Sequence, residues 1–347
     1  MLIEELTNEW QKAGICEGDT VLIHSSLKRT LIKFIKQGQK VSPDAILNSF
    51  IQAVGSSGTL LLPLFNFDFT KGIGFDYRNT SFHMRVITEV GRVHPQTIRT
   101  GKMKTVIIVQ ARMTSTRLPG KILKKVLGKS LLEYQIERLG QVKLADEVVI
   151  ATTINETDEP IVQLCNNLST PYFRGSQEDV LSRYYETAKA HQADLIVRVT
   201  SDCPLIDPQV IDRVIKFYID HQTEYDYVSN SLERTYPRGM DTEVFSFNAL
   251  QEAFLGATAL PDREHVTPFI HRQPQRYSLA SVNYSDNQSH HRWTVDTPED
   301  FELIKRILEA IYPNLPDFTL KDCLNLLQKN PEWLTINAHV QQKKYGE

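Results

Sequence analysis

Cysteine is scarce in this sequence, and the few cysteines that occur form no pattern. Cys16, Cys165, Cys203 and Cys323 are scattered over 347 residues, and no two of them stand in a Cys-x-x-Cys pair. This spacing favours neither a zinc site nor a disulfide framework. We therefore expect a reduced, cytoplasmic protein.

Long apolar runs and a large excess of either charge are also missing. No stretch of 18 apolar residues occurs, so no membrane-spanning helix is expected. The first residues are acidic and lack the pattern of a signal peptide. The formal net charge of -3 gives no overall attraction to nucleic acid or to a membrane surface. We expect neither as a partner.

What the sequence does contain is an ordinary globular composition, 41% apolar, on a chain long enough for two domains. Residues 1–101 show a short α/β alternation. Its predicted helices cover 3–13 and 43–54, the second capped by Ser42, and its predicted strands cover 20–24 and 59–62. A new strand then begins after Lys104. We place the boundary at 101–104, with a second domain over 104–347.

The most informative segment is the loop after the first strand of the second domain. Residues 106–109 are apolar and predict a buried strand, and the next loop carries Arg112, Arg117 and Lys121. In open α/β sheets, ligands bind at the carboxyl ends of strands. Arginine gives forked donors to phosphate oxygens and lysine gives a point charge, so these cations favour a polyphosphate ligand. The alternative is a solvated basic loop.

Two aspartates follow predicted strands in separate parts of the chain. Asp202 follows an apolar strand predicted over 194–200, and Asp296 follows a short strand predicted over 292–295. Mg²⁺ prefers oxygen ligands and is often held by one or two carboxylates together with substrate phosphates. The two positions therefore suit a magnesium site. The alternative for Asp296 is that it caps the helix predicted over 298–311.

One further motif is rejected because its spacing is wrong. Gly128-Lys129-Ser130 ends like a phosphate-binding P-loop, but position 123 is leucine where that motif needs glycine. We instead interpret Ser130 as the N-cap of a helix that starts at Leu131, with Glu133 as its capping-box partner.

Three segments of the second domain carry a family resemblance. Ala-Arg-Met-Thr-Ser-Thr-Arg-Leu-Pro-Gly-Lys at 111–121 resembles the N-terminal signature of the sugar cytidylyltransferases, which make CMP-activated acidic sugars. Asp-Cys-Pro-Leu-Ile at 202–206 and Val-Asp-Thr-Pro-Glu-Asp at 295–300 resemble the two metal-binding segments of that family. The likeness covers residues 104–345 and is strongest to its SpsF-like branch of spore-coat polysaccharide proteins.

The resemblance implies a fold, a reaction and a set of site residues. The fold is a three-layer α/β nucleotidyltransferase, Rossmann-like and GT-A-like, with a mostly parallel sheet. The reaction transfers CMP from CTP to a sugar acid of the acylneuraminate or Kdo type and releases pyrophosphate. It uses Mg²⁺ and belongs to surface polysaccharide biosynthesis. The resemblance is also compatible with a homodimer. The implied catalytic residues are Arg112, Lys121, Asp202 and Asp296, the two aspartates being the metal ligands. Arg112, Ser115, Arg117 and Lys121 would bind the triphosphate.

Base and sugar recognition are implied for two later regions. Arg174 and Asp179 would lie near the base and ribose. The sugar pocket would be lined by Arg238, Asp241, Glu243 and His265, each of which has a purely structural role as its alternative. Arg198 lies inside a predicted apolar strand and needs a partner, either an ion pair or the nucleotide.

Residues 1–101 carry a second resemblance. Segments 18–27, 58–63 and 88–91 resemble the opening of the aminoglycoside 3-N-acetyltransferase-like family, which acylates amines with acetyl-CoA. That family is more than twice as long as this piece, and its catalytic histidine lies in the part that is absent here. The likeness implies a truncated, inactive segment in which His24 is structural.

Two other functions are compatible with the sequence. A glycosyltransferase that consumes a nucleotide sugar could use the same sheet and acidic metal site, although the loop with three cations suits an intact triphosphate better. A non-catalytic fusion that binds nucleotide or a partner enzyme is the second, and the presence of both Asp202 and Asp296 argues against it. No general base stands out in the sequence.

Overall fold

The structure, a computed structural model, describes residues 2–22, 42–61 and 103–342. The chain divides into two compact units, residues 1–101 and residues 102–347. Within the described ranges, no helix combines the length and the apolar surface that crossing a membrane requires.

The described part of the first unit contains two helices and two strands. They are α1 (Leu2–Lys12), β1 (Thr20–Leu22), α2 (Pro43–Val54) and β2 (Thr59–Leu61). The two strands pair in parallel, with Thr20 opposite Thr59. The helices and strands predicted for these residues are confirmed. His24, residue 62 and the segment 88–91 lie outside the described residues.

Helix α2 begins where its sequence predicts. The Ser42 hydroxyl accepts a hydrogen bond from the amide of Ala45, so the cap satisfies one of the free amides of the first turn. The helix packs on α1 through Leu6, Ile46 and Phe50, which are buried together. Burial of this apolar face is the main stabilisation of the described part of the unit.

The second unit is built on one large sheet. Its strands are β3 (Thr105–Gln110), β6 (Glu147–Thr153), β7 (Tyr172–Gly175), β8 (Leu195–Thr200), β9 (Tyr227–Ser229), β10 (Glu243–Ser246) and β11 (Leu279–Ser281). Their order is β11-β9-β10-β8-β3-β6-β7. Neighbouring strands are parallel, except that β10 runs antiparallel to both β8 and β9. The predicted mostly parallel sheet is confirmed.

Nine α-helices connect or flank these strands in the described part of the second unit. They are α3 (Leu131–Leu139), α4 (Glu159–Asn167), α5 (Val180–Ala190), α6 (Pro208–Asp220), α7 (Phe247–Gly256), α8 (Leu260–His265), α9 (Pro268–His271), α10 (Pro298–Ile311) and α11 (Leu320–Lys329). Short 3₁₀ turns cover Lys121–Leu123, Glu156–Asp158 and Pro331–Thr335.

The central strand shows why the unit has three layers. Successive side chains of a strand point to opposite faces, and all of those in the middle of β3 are buried. Ile107 and Val109 pack with α3, α4 and α6 on one face. Val106 and Ile108 pack with α5 and α7 on the other face. The continuous apolar run 106–109 is therefore a strand covered by helices on both sides.

The segment Gly128-Lys129-Ser130 forms a hairpin. Strand β4 (Lys125–Val126) pairs with β5 (Lys129–Ser130) across a two-residue turn, in which Leu127 and Gly128 both have positive φ. The Ser130 hydroxyl then accepts from the amide of Glu133 at 3.2 Å and caps α3, which confirms the N-cap interpretation.

One predicted strand is wrong. Residues 292–295 form no strand, and Arg292 makes a single isolated bridge with Arg238. Trp293 and Val295 are buried, but they pack with α10 and other helices outside the main sheet. The apolar run therefore reflects burial without a partner strand.

Candidate active site

Strands β3 and β8 place two loops at one end of the sheet. They are parallel neighbours, and Gln110 at the end of β3 lies opposite Thr200 at the end of β8. After β3 the chain continues to β6 and β7 on one side, whereas β8 lies on the other side. This change of direction marks where open α/β sheets bind ligands. A cavity of about 910 Å³ opens there, and both loops line it.

The loop after β3 is held in a compact shape by hydrogen bonds of its backbone amides. The amide of Met113 donates to Oδ1 of the buried Asp158 at 2.7 Å. The amides of Ser115 and Gly120 both donate to the carbonyl of Met113. Gly120 has φ of 65°, a left-handed conformation that glycine adopts without strain. The loop therefore brings Arg112, Arg117 and Lys121 to the cavity.

The centre of the cavity is an ion cluster built by Lys121. Its Nζ lies 2.8 Å from Oδ2 of Asp202 and 2.8 Å from Oδ1 of Asp296. The other oxygen of Asp296 contacts Arg117 at 2.9 Å and Arg292 at 2.7 Å. The structure thus brings together three of the four predicted catalytic residues, Lys121, Asp202 and Asp296, with Arg117, which was predicted to bind the triphosphate.

Backbone contacts fix the distance between the two aspartate segments. The amide of Val295 donates to the carbonyl of Asp202 at 2.8 Å. The Thr200 hydroxyl donates to Oδ1 of Asp202 at 2.6 Å and orients that carboxylate. The two carboxylates therefore approach each other because their main chains are joined, as well as through Lys121.

Electrostatics favour the charged forms of Lys121 and Asp202. Burial alone would raise the pKa of Asp202, but the charge and hydrogen bond of Lys121 outweigh it and lower the pKa to about 2. Burial also works against the charge of Lys121, and the two carboxylates overcome it and raise its pKa. Lys121 and Asp202 therefore keep their opposite charges at neutral pH.

Asp296 does not cap helix α10. Thr297 is the N-cap, and it forms a capping box with Asp300. Asp300 is fully buried and accepts hydrogen bonds from the Asp296 and Thr297 amides and from Arg292. The capping alternative for Asp296 is therefore wrong, and its side chain is directed at the cavity cations.

Gly239 allows a second loop to approach the segment that carries Asp296. It has φ of 102°, and a Cβ added there would lie 2.8 Å from the carbonyl oxygen of Trp293. The amide of Trp293 donates to the carbonyl of Arg238 at 2.8 Å. This contact brings the Arg238 side chain to the cavity wall.

Comparison with known proteins identifies the family. A sequence model described as Cytidylyltransferase matches residues 106–330. The chain belongs to the cytidylyltransferase family. The spore coat polysaccharide biosynthesis protein SpsF of Bacillus subtilis is 34% identical over 236 residues, which cover 66% of this chain and 95% of that protein.

Two further relatives extend the match. A 3-deoxy-manno-octulosonate cytidylyltransferase of Chlamydia trachomatis serovar L2 is 31% identical over 218 residues, 60% of this chain and 82% of that protein. The structure of a cytidylyltransferase from Leptospira borgpetersenii is similar with a TM-score of 0.65 and 32% identity, covering 70% of this chain and 99% of that chain. The three-layer nucleotidyltransferase fold is confirmed, and the protein is a nucleotidyltransferase of the cytidylyltransferase type.

The predicted sugar-pocket residues of the cytidylyltransferase all line the cavity. Arg234 donates two hydrogen bonds to Asp241, one to each carboxylate oxygen. Nη1 lies 2.5 Å from Oδ1, and Nη2 lies 2.9 Å from Oδ2. Arg238 has no ion pair among the described residues; burial and the nearby Arg234 lower its pKa. His265 is the last residue of α8, and partial burial of its ring lowers its pKa.

Glu243 is buried and belongs to a network across the sheet. It pairs with Arg198, its direct neighbour on β8, and accepts a hydrogen bond from the Tyr227 hydroxyl at 2.7 Å. Arg198 lowers the pKa of Glu243 although burial would raise it. The partner that the sequence required for Arg198 inside strand β8 is therefore Glu243, and both residues line the cavity.

Arg174 and Asp179 do not line the cavity of the cytidylyltransferase. Arg174 donates to the carbonyls of Thr153 and Asn155 and pairs with Glu159. Asp179 caps α5 and pairs with Arg263 at 2.6 Å. Their contacts in the structure hold the β7–α5 connection in place.

The sequence interpretation missed several cavity residues, among them Arg183 on α5 and Tyr227 on β9. Arg183 stands three residues after Val180, on the buried face of that helix. A charge on an apolar helical stripe is the signal that could have identified it.

Proposed function

We propose that the protein transfers CMP from CTP to a sugar acid of the acylneuraminate or Kdo type and releases pyrophosphate, in the biosynthesis of a surface polysaccharide. The cluster of Lys121, Asp202 and Asp296 beneath the arginine-bearing loop is the observation that carries the proposal. In this cluster, a cation that suits a triphosphate and two carboxylates that suit a metal ion lie in the same cavity. The named functions of SpsF and of the Kdo cytidylyltransferase support the substrate class.

The reaction forms one bond and breaks one. A sugar hydroxyl oxygen attacks the α-phosphorus of CTP, its proton leaves to solvent or buffer, and the bond between the α-phosphorus and the bridging oxygen breaks. Pyrophosphate departs with the electron pair of that bond. Catalysis of this kind depends mainly on positioning and on stabilisation of charge.

The cations of the loop suit the departing pyrophosphate. Arg112 is exposed at the cavity and has no ion pair in the described part of the chain, so its guanidinium is available to phosphate oxygens. Arg117 and Lys121 contact carboxylates in this structure. Both can exchange these carboxylates for phosphate, which offers a larger negative charge. Ser115 lines the same part of the cavity.

Asp202 and Asp296 suit a magnesium ion. No group of three or more His, Cys, Asp or Glu side chains across residues 2–22, 42–61 and 103–342 is arranged to hold a metal. The two carboxylates nevertheless direct one oxygen each at a single cation, the Lys121 ammonium. Two carboxylates with substrate phosphates are a usual Mg²⁺ site, and the bound ion would neutralise phosphate charge.

The sugar would occupy the part of the cavity beside β9 and β10. Arg238 suits the sugar carboxylate, because it is a cavity cation that forms no ion pair in the described chain, although Asp241 lies near it. Asp241, Glu243 and His265 offer polar atoms for sugar hydroxyls.

Pyrophosphate release tests the proposal directly. The full chain is incubated with Mg²⁺ and each nucleoside triphosphate, alone and with Kdo, N-acetylneuraminate or a neutral hexose, and pyrophosphate is measured. We expect release only with CTP and a sugar acid. Release of nucleotide from a nucleotide sugar, without use of CTP, would instead support the glycosyltransferase. Tight CTP binding without turnover on any acid would support the non-catalytic alternative.

For residues 1–101 we propose an acetyltransferase-like segment that has no acetyl transfer activity of its own. The sequence likeness to the opening of that family supports this assignment. The homodimer and the cytoplasmic location also stay predictions; light scattering in solution tests the dimer.

A further inference from the structure

The C-terminal segment, residues 331–342, packs onto the part of the chain that carries Asp296. It begins with the 3₁₀ turn Pro331–Thr335, which follows α11. Three of its apolar side chains pack against the cluster that contains Trp293 and the buried face of α10: Trp333, Leu334 and Ile336. The match to the cytidylyltransferase sequence model ends at residue 330, so the C-terminal segment lies outside that match.

Asn337 is the buried polar residue of the C-terminal segment. It is 4% exposed, and its Nδ2 donates to the carbonyl of Arg292 at 2.9 Å and to Oδ1 of Asp300 at 2.8 Å. A side-chain amide nitrogen carries two hydrogens, so both of its donors are used. Asn337 therefore joins a residue four positions before Asp296 to a residue four positions after it.

Gln342 binds the side chain of the same arginine. Nη1 of Arg292 donates to Oε1 of Gln342 at 2.6 Å, and Gln342 lines the cavity. The other two nitrogens of Arg292 face carboxylates. Nε donates to Asp300 at 2.9 Å, and Nη2 donates to Asp296 at 2.7 Å and to Asp300 at 3.1 Å. Each nitrogen of this planar group thus has a partner, and Gln342 supplies the one at Nη1.

These contacts continue to the reaction centre through Asp296. Arg292 holds its Oδ2, while its Oδ1 contacts Lys121. Asp300 binds Nε and Nη2 of Arg292 and leaves the Nη1 end to Gln342. The orientation of the guanidinium, and with it that of the Asp296 carboxylate, therefore depends on partners at both ends. Residues that orient a metal-binding carboxylate in this way affect activity without touching the substrate.

We propose that the C-terminal segment is a positioning element of the reaction centre, in which Asn337 and Gln342 fix the guanidinium of Arg292 and, through it, the carboxylate of Asp296. The effect on turnover rests on the proposed function. Asn337 and Gln342 act through Arg292 and Asp300, so both are positioning residues and neither is a catalytic one.

Gln342→Met in the full chain tests the proposal, because it removes the acceptor of Nη1 at an exposed position and should keep the fold. We expect kcat for pyrophosphate release to fall by about 3- to 10-fold, near the lower end of the effect of losing a partner behind a metal-binding group. The KM for CTP should stay within about 2-fold, since the lost contact does not bind the nucleotide. Asn337→Leu removes two buried contacts and should lower kcat by about 10- to 100-fold.

Proton–nitrogen NMR of the protein without ligands gives a readout that is independent of turnover. The Nε–H signal of Arg292 is identified by its absence in Arg292→Lys. We expect its exchange with water to be faster in Gln342→Met than in wild type, because the guanidinium has lost one of its fixed ends. Gln342→Glu keeps an acceptor oxygen and should preserve both slow exchange and kcat.

Gln341→Met is the matched control, since Gln341 is the exposed neighbour and makes no hydrogen bond within the described ranges. It should behave as wild type, and an equal loss of kcat there would make the effect one of the segment's general stability. Unchanged kcat in Gln342→Met would overturn the role of Gln342, whether or not exchange is faster. If Asn337→Leu does not fold, Gln342→Met decides alone. Wild-type protein that releases no pyrophosphate contradicts the proposed function, and the Arg292 signal then still decides whether the segment fixes the guanidinium.

Discussion

The ammonium of Lys121 lies 2.8 Å from a carboxylate oxygen of Asp202, so a residue of the loop after β3 reaches a residue of the loop after β8. Lys121 makes a contact of equal length with Asp296. Its charge therefore occupies the space between the two carboxylates in which a divalent cation would be held. A metal held by both carboxylates would need Lys121 to leave this position, and a bound triphosphate would offer the ammonium another anion.

This arrangement predicts that Lys121→Met increases the affinity of the nucleotide-free protein for Mn²⁺. We expect a gain of roughly 10-fold, because a competing unit charge at contact distance contributes at least about 1 kcal/mol even when well screened. Electron paramagnetic resonance of free Mn²⁺ measures it. Arg117→Met is the control, since Arg117 contacts Asp296 and not Asp202, and its gain should be smaller. Equal Mn²⁺ affinity in Lys121→Met and wild type would mean that the carboxylates bind metal elsewhere.

Asp202→Asn and Asp296→Asn should each lower turnover by at least about 100-fold, because each removes a preorganised charge at the reaction centre. Pyrophosphate release measures turnover, and circular dichroism checks the fold. Asp317→Asn is a control at a surface carboxylate that bonds to Gln141. A well-folded Asp296→Asn protein with near wild-type turnover would rule out a role of Asp296 at the centre.

The depressed pKa of Asp202 predicts how stability changes in acid. The folded-state value of about 2 lies below the ordinary value of 3.8, so the stabilisation is complete above about pH 4 and is lost as the pH falls towards 2. The contribution at neutral pH is about 2 kcal/mol by linkage. Urea unfolding of wild type and Asp202→Asn between pH 6 and pH 2.5 should show a stability difference that shrinks below about pH 4. A difference that is constant over this range would contradict the ion pair.

Gly239→Ala should lower both stability and activity. The added Cβ meets the carbonyl carbon and oxygen of Trp293 at 2.8 Å in a left-handed backbone conformation, so the segment before Asp296 must move. We expect a loss of about 1–3 kcal/mol in the free energy of unfolding. Gly128→Ala is the matched control, because Gly128 also has positive φ but has nothing within 4 Å of the added atom. Equal losses in the two variants would show that backbone strain alone explains the effect.

A chain that begins at Met103 should fold and keep nucleotidyltransferase activity. Strand β3 starts at Thr105, and the preceding amide of Lys104 is held by Asp194 of the same unit. Residues 1–101 alone should transfer no acetyl group from acetyl-CoA. Loss of solubility or activity in the shortened chain would show that the enzyme needs residues 1–101. Acetylation by the full chain would reveal an acyl site.

The parts of the site that the sequence predicted depend on strand order. The loop of Arg112 and Lys121 and the loop of Asp202 each follow an apolar strand, and parallel neighbours bring such loops together. The strand predicted before Asp296 does not form, and this error also concerns strand pairing. Burial of Trp293 and Val295 is visible in the sequence, but whether a segment finds a partner strand is decided by distant residues.

Side-chain direction was the other property that the sequence could not give. Arg174 and Arg183 are both cations near the start of α5. Arg174 bonds to carbonyls of the loop after β6, while Arg183 lines the cavity. Which of the two reaches the site depends on the path of the β7–α5 connection, and that path is set by contacts such as the pair of Asp179 with Arg263.

Asp296 has one permanent partner and two exchangeable ones. Arg292 stands four residues before it and also bonds to Asp300 at the start of α10, so this contact stays within one rigid segment. Lys121 and Arg117 come from the distant loop and can turn to phosphate while Arg292 keeps Asp296 in place. Exchange of partners at Lys121 and Arg117 therefore leaves the contact between Arg292 and Asp296 intact. Each catalytic cycle can begin and end with the backbone of the centre unmoved.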